Sequence, residues 1–136
     1  MKPIDLAGCI IIDDYDRILL LHRNTDDYQH WELPGGKLEP DETAEAAAVR
    51  EVKEELGVAV HLTKALGSGT FADNDRSFRF HWFTANIIDG EPRVMETKLF
   101  DDTDYFELED LMSVSLSANM TLLLEKISAG EIAISG

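Results

Sequence analysis

Only one cysteine, Cys9, occurs in the chain. An internal disulfide is therefore excluded, and a reducing compartment is the natural setting. A lone cysteine in an apolar stretch also has an ordinary role as a small buried residue. Long hydrophobic runs are missing as well. The apolar run Cys9 to Ile12 is too short for a membrane span or for the core of a signal peptide. These absences lead to the expectation of a soluble, cytoplasmic protein. Positive charge is scarce: 12 Lys and Arg stand against 27 Asp and Glu, a formal net charge of -15. Such a surface repels polyanions, which argues against nucleic acid and anionic membranes as partners. A small phosphorylated ligand remains compatible if metal ions or a few placed cations supply local positive charge. Acidity of this degree also simply serves solubility.

No linker, low-complexity tract or internal repeat divides the 136 residues. That length suits one domain with its own core, expected to span residues 1–136. Leu6 to Ile12 and Arg17 to Leu21 read as strands joined by a turn at Asp13-Asp14-Tyr15-Asp16. Asn24 to His30 reads as a polar loop, followed by a short apolar piece, Trp31 to Gly36, broken by proline and glycine. Thr43 to Leu56 reads as a helix. It lacks proline and glycine, Asp41 or Thr43 is placed to cap it, and Gly57 to stop it. Val58 to Leu66 and Ser77 to Ile88 read as strands, the second because Phe78, Phe80 and Trp82 alternate with Arg79 and His81. Asp73-Asn74-Asp75 and Asp89-Gly90 are turn signals. Asp104 to Leu108 reads as a short strand. A last helix, Ser117 to Ile127, carries Met120, Leu123, Leu124 and Ile127 on one face. The order of elements predicts a layered α/β domain.

The chemistry concentrates between Gly35 and Val58. At 100° per residue, Glu51, Glu54 and Glu55 fall on one arc of the helix, and Ala48, Val49, Val52 and Leu56 on another. Like charges at these spacings repel each other mildly. A hard divalent cation with oxygen preference turns that repulsion into attraction, and Mg²⁺ commonly shares such carboxylates with phosphate and water. Taken alone, the three glutamates are better explained by a solvated acidic face.

The longer spacing is more specific. Gly36, Glu42, Arg50, Glu51, Val52, Glu54, Glu55, Gly57 and Val58 fill every fixed position of G-x5-E-x7-R-E-U-x-E-E-x-G-U, where U is aliphatic. On these residues the chain resembles the Nudix hydrolase family. The resemblance implies an α/β/α sandwich with a mixed sheet, in which this stretch forms a loop-helix-loop. It implies hydrolysis of a phosphoanhydride in a nucleoside diphosphate-linked substrate, with Mg²⁺ (or Mn²⁺) as cofactor. Glu51, Glu54 and Glu55 would hold the metal, helped by a backbone carbonyl at Gly36 or Gly35. Glu42 and Arg50 would brace the loop, and Glu51 is the favoured general base.

The approach Trp31-Glu32-Leu33-Pro34-Gly35-Gly36-Lys37-Leu38-Glu39 is similar to the MutT-like branch, which acts on (d)NTPs or oxidised purine triphosphates. By that likeness Arg23 would meet phosphate, Glu96 would be a fourth metal carboxylate, and Asn119 would read a base. Lys37 is a further candidate for phosphate, and Trp31 and Phe80 for base stacking. Each has a plainer alternative: a solvated strand end, a loop acid, a first-turn asparagine, a surface lysine, core aromatics. The four histidines show no metal-ligand spacing. The proline and tyrosine typical of the ADP-ribose and dinucleoside polyphosphate branches are absent after the box. ADP-ribose or a nucleotide sugar stays open as the alternative substrate, and a non-catalytic nucleotide sensor as the alternative class. A homodimer is compatible with exposed strands.

Overall fold

The computed structural model describes residues 2–134. Seven strands and two α-helices follow in the order β1 (Ile4–Ile11), β2 (Ile18–Asn24), β3 (Gln29–Glu32), β4 (Gly35–Lys37), α1 (Ala44–Leu56), β5 (Ala59–Asp73), β6 (Arg76–Asp89), β7 (Phe100–Phe106) and α2 (Ala118–Ser128), with a 3-10 helix at Leu108–Ser113. They build a mixed four-stranded sheet, β4-β1-β6-β5, and a three-stranded sheet, β3-β2-β7. Only β1 and β6 pair in parallel; every other ladder is antiparallel.

Alternation along the strands makes two cores. Ala7, Cys9, Ile11, Leu19, Leu21, Phe83 and Ala85 point to the side covered by α1, where they meet Ala48, Val52 and Leu56. Ile10, Ile18, Leu20, Phe80 and Trp82 point to the other side, under α2 and the 3-10 helix, where Met120, Leu123 and Leu111 close the layer. Each fully buried aliphatic side chain contributes roughly 1.5–3 kcal/mol, so helices cover both faces of the strands. Cys9 lies in the first core with its thiol pushed up to about 12 by burial, which keeps it protonated and unreactive.

Helix α1 starts at Thr43, whose hydroxyl accepts the Ala46 amide at 3.1 Å. It stops at Gly57, left-handed at φ 72, whose N–H returns to the Lys53 carbonyl. A side chain in that conformation would cost energy that glycine avoids.

Three expectations need correction. The stretch Asn24 to His30 is not all loop, because β2 runs on through Asn24 and β3 starts at Gln29. The strand expected to end at Leu66 continues to Asp73. Gly67 sits in a bulge and Gly69 lies beneath α2, where a Cβ would meet Leu122 and Trp82 at 2.8 Å. The small residue lets the helix approach the sheet. Finally, β7 starts at Phe100, four residues ahead of the expected Asp104, and residues 108–113 form the 3-10 helix.

Candidate functional site

Strand β4 lies across the face of α1 that carries acid. Gly35 and Gly36 pair with Gly8 and Ala7 of β1, and the Gly35 amide donates to Glu55 Oε1 at 2.8 Å. A Cβ on Gly36 would sit 2.6–2.8 Å from the Glu51 carboxylate. The bare backbone of β4 thus brings its peptide groups against two of the three helix glutamates.

Those glutamates are not equivalent. The helical wheel places the three together on one arc, but Glu55 is only 3% exposed and is buried along with Val52 and Leu56. The Glu51 side chain is 15% exposed and that of Glu54 is 50% exposed. Burial pushes the Glu55 carboxyl well above its ordinary range; the Gly35 amide opposes the shift, and the charges of Glu51, Glu32 and Glu96 add to it. Burial also raises Glu51, with Arg50 opposing and Glu54 and Glu96 adding. Glu96, in the segment before β7, therefore stands close enough for its charge to act on both.

Arg50 ties this region together. Its Nε and Nη2 donate to the two oxygens of Glu42 at 2.8 and 2.9 Å. Nη2 also reaches the Lys37 carbonyl at 3.0 Å. Nη1 donates to Glu51 at 2.8 Å and to Glu54 at 3.3 Å. The guanidinium holds Glu42 down at about 2, assisted by the Glu39 amide. The planar fork is suited to such bidentate bracing. Among the described residues no three His, Cys, Asp or Glu side chains form a closed metal-ligand set. Arg50 neutralises part of the cluster instead. The donor chemistry still fits a hard cation: a buried carboxylate in the repulsive field of three others is relieved by positive charge.

Beside the cluster lies a cavity of about 190 Å³ lined by Leu6, Arg23, Tyr28, His30, Glu32, Phe71, Asp73, Phe78, Ser117, Ala118 and Asn119. A bridge from Trp31 to the residues before α2 positions its rear wall: the Trp31 amide donates to the Ser115 carbonyl and the Ser117 amide to the Trp31 carbonyl. Ser117 then caps α2 through the Met120 amide. That places Asn119 in the first turn, its side-chain oxygen buried and without a hydrogen-bond partner among the described residues. Buried acceptors are rarely left unpaired, and one facing a cavity marks a place where a donor belongs.

Arg23 lies between cavity and cluster. Its Nε and Nη2 donate to the buried Glu32 at 2.6 and 3.2 Å. The guanidinium stacks over the Phe100 ring at 4.9 Å and lies in the field of Glu55 and Glu96. His30 Nε2 contacts Glu32 at 2.9 Å. Lys37 is exposed, and its carbonyl accepts from Arg50.

Phe80 requires correction. It is 2% exposed, in the core under α2 and against Gly8, and it does not line the cavity. Trp31 packs on Phe106 and His22, also away from the cavity. The aromatic pair at the cavity is Phe71 and Phe78, opposite each other on β5 and β6, with rings nearly parallel at 5.4 Å. Phe78 shares its face of β6 with Phe80 and lies nearer the open end. Tyr28, His30 and Asp73 were also missed. For His30 a local signal existed, since His30 and Glu32 alternate onto one face of β3. For Tyr28 and Asp73 there was none.

An acidic helix under a glycine strand, set beside a base-sized cavity inside a helix-covered mixed sheet, defines the class. The family profile described as NUDIX domain matches residues 2–127, and the chain belongs to that family. Among its relatives, the chain is 32% identical over 84 residues to the 8-oxo-dGTP diphosphatase of Proteus vulgaris, covering 60% of this chain and 75% of that protein. It is 33% identical over 106 residues to the ADP-ribose pyrophosphatase of Methanocaldococcus jannaschii, covering 74% and 60%. The matched stretch is only 40% of the Bacillus subtilis relative and 42% of the Streptomyces ambofaciens relative. Among solved structures, a MutT NUDIX hydrolase from Burkholderia pseudomallei superimposes with a TM-score of 0.84 at 32% identity, covering 93% of this chain and 99% of that one. No helix among the described residues is long and apolar enough to cross a membrane.

Proposed function

We propose that this protein is a Mg²⁺-dependent nucleotide pyrophosphohydrolase that converts a (d)NTP or an oxidised purine nucleoside triphosphate to the monophosphate and pyrophosphate. The observation that carries this reading is adjacency. A carboxylate cluster and a base-sized cavity share a boundary at Arg23, whose charge is felt on both sides. The name of the Proteus relative, an 8-oxo-dGTP diphosphatase, supports the triphosphate choice.

Glu51, Glu54, Glu55 and Glu96, with a β4 carbonyl at Gly36, are the groups that would hold the metal. A bound divalent cation offsets phosphate charge and makes a water more acidic. The chain's own groups do the rest. Burial weakens Glu51 as an acid, so as a carboxylate it is a better acceptor for the proton that leaves water as its oxygen attacks phosphorus. Arg50 holds Glu51 in place from the opposite side. Arg23, anchored by Glu32, orients the phosphate next to the base pocket. Asn119 offers its free oxygen to an N–H of the base, and Phe71 and Phe78 present their rings.

Incubation with a panel of nucleotides and Mg²⁺, with product identification, tests the reading. Triphosphates should yield monophosphate and pyrophosphate, and chelation with EDTA should stop turnover. Higher catalytic efficiency on ADP-ribose would favour the second reading, which the Methanocaldococcus relative motivates. Nucleotide binding without hydrolysis in Mg²⁺ and Mn²⁺ would remove catalysis altogether. Asn119→Ala should raise KM for the preferred triphosphate about tenfold and leave kcat within about twofold, because a hydrogen bond made equally in both states contributes binding only. Its melting temperature should not fall, since the atom lost has no partner to abandon.

A further inference from the structure

The outer wall of the cavity is closed by a contact between segments of different sheets. Tyr28, at the end of the β2–β3 connection, donates its phenolic O–H to the Asp73 carboxylate, whose oxygens lie at 3.0 and 3.1 Å. Asn74 donates its side-chain amide to the Tyr28 oxygen at 2.7 Å. Residues 28 and 73 are 45 positions apart, and β3 and β5 share no ladder. Asn74 and Asp75, at φ 50 and 63, form the two-residue turn that makes Asp73 and Arg76 the last pair of the β5–β6 ladder. Such turns match the twist of the flanking strands. Phe71 and Asp73 alternate onto the same face, so the residue that lines the cavity with a ring is followed by the one that latches it.

We propose that Tyr28 and Asp73 act as a clasp that sets how tightly the cavity holds a nucleobase. The identity of the ligand rests on the nucleotide reading above. At about 190 Å³ the cavity is smaller than the few hundred cubic ångströms of a whole-ligand site, so it takes a ring system and leaves sugar and phosphate outside. The clasp holds the loop wall and the hairpin wall at that spacing before any ligand arrives. Without it, the two walls must be ordered at binding, and the cost is taken from affinity. A phenol donating to a carboxylate is a charge-assisted bond, stronger than its neutral counterpart.

Tyr28→Phe keeps the ring and removes only the hydroxyl. Calorimetric titration with guanosine 5′-monophosphate should show about tenfold weaker binding in this variant. Inorganic pyrophosphate with Mg²⁺, which lacks a base, should bind unchanged. Asp73→Ala should lose most of the same factor, and the double variant no more than Tyr28→Phe alone, since the Tyr28 hydroxyl takes part in every bond that either substitution deletes. Asp73→Asn keeps an oxygen that accepts the phenol and should recover most of the affinity. Undiminished monophosphate binding in Tyr28→Phe overturns the proposal. So does equal weakening of pyrophosphate, which would indicate general loosening, and so does a wild-type protein that binds no monophosphate. Hydrolysis is scored separately on triphosphates: the expected binding pattern without turnover keeps the clasp and removes the catalytic reading, while turnover with unchanged monophosphate affinity does the opposite.

Discussion

Glu55→Gln should lower triphosphate hydrolysis about a thousandfold while leaving the metal-free fold as stable as the wild type or more so. The first half follows from charge. Removing one anionic ligand from a metal-phosphate site removes several kcal/mol of transition-state stabilisation, at about 1.4 kcal/mol per decade of rate. The second half follows from burial. Glu55 is 3% exposed, and its carboxyl is raised well above its ordinary range in the folded chain by that burial. A raised carboxyl means that the folded state, without a cation, disfavours the charge. At pH values above the ordinary glutamate value of ~4.3 the unfolded chain ionises freely, and stability is lost as pH climbs from there toward the folded-state value. Below that window both states carry the proton and nothing is lost. Glutamine avoids the penalty and still accepts the Gly35 amide through its side-chain oxygen. In EDTA the variant should therefore melt at or above the wild-type temperature at neutral pH, and the advantage should disappear near pH 4. With Mg²⁺ the order should invert, because only the wild type gains stability from binding the ion. Wild-type turnover by the variant would sink the metal assignment. A lower melting temperature in EDTA at neutral pH would show that Glu55 has a structural partner of greater importance than its charge.

Helix α1 was legible because its signals are local. Thr43, Gly57 and the 3.6-residue repeat of Ala48, Val52 and Leu56 lie within one stretch of chain. What the helix lies against was not legible. A wheel sorts residues by type, so Glu55 fell among the outward acids; its burial comes from β4, whose glycines allow the strand to press on the helix. The same distinction accounts for Phe80. Alternation assigns Phe78, Phe80 and Trp82 to one face of β6, but depth along that face depends on where α2 ends its cover. Only Phe78 reaches the cavity. The long tail of β5 was hidden because Gly67 and Gly69 mark turns in most contexts, whereas here a bulge and a helix crossing require them.

The cavity was the least legible part. Its walls come from β1, β2, β3, β5, β6 and the start of α2, brought together by contacts such as Trp31 to Ser115 and Tyr28 to Asp73. No short-range pattern encodes those. Asn119, Arg23 and Glu96 were reached through resemblance, and the structure places the first two at the cavity and the third within electrostatic reach of Glu51 and Glu55.

Gly36→Ala and Gly35→Ala should separate function from folding at adjacent positions. The three atoms nearest a Cβ at Gly36 would all belong to the end of the Glu51 side chain, at 2.6–2.8 Å. A carboxylate on a flexible stem swings aside at little cost, so the melting temperature should change by less than about 4 °C, the shift expected of roughly 1 kcal/mol or less. Glu51, however, would leave the position from which Arg50 and β4 now hold it. A displacement of about 1 Å in a reacting group costs on the order of a hundredfold in rate. At Gly35 the same Cβ would meet the Ala7 carbonyl oxygen at 2.5 Å and the Gly8 Cα at 2.8 Å. Backbone on both sides has no inexpensive escape, so β4 must lift from β1 and the Gly35 amide must leave the buried Glu55. Gly35→Ala should therefore lose both stability and activity, and Gly36→Ala activity alone. Parallel thermal melts and initial rates on the preferred triphosphate distinguish them. Full turnover by Gly36→Ala would mean that the close approach of β4 to Glu51 has no part in the chemistry.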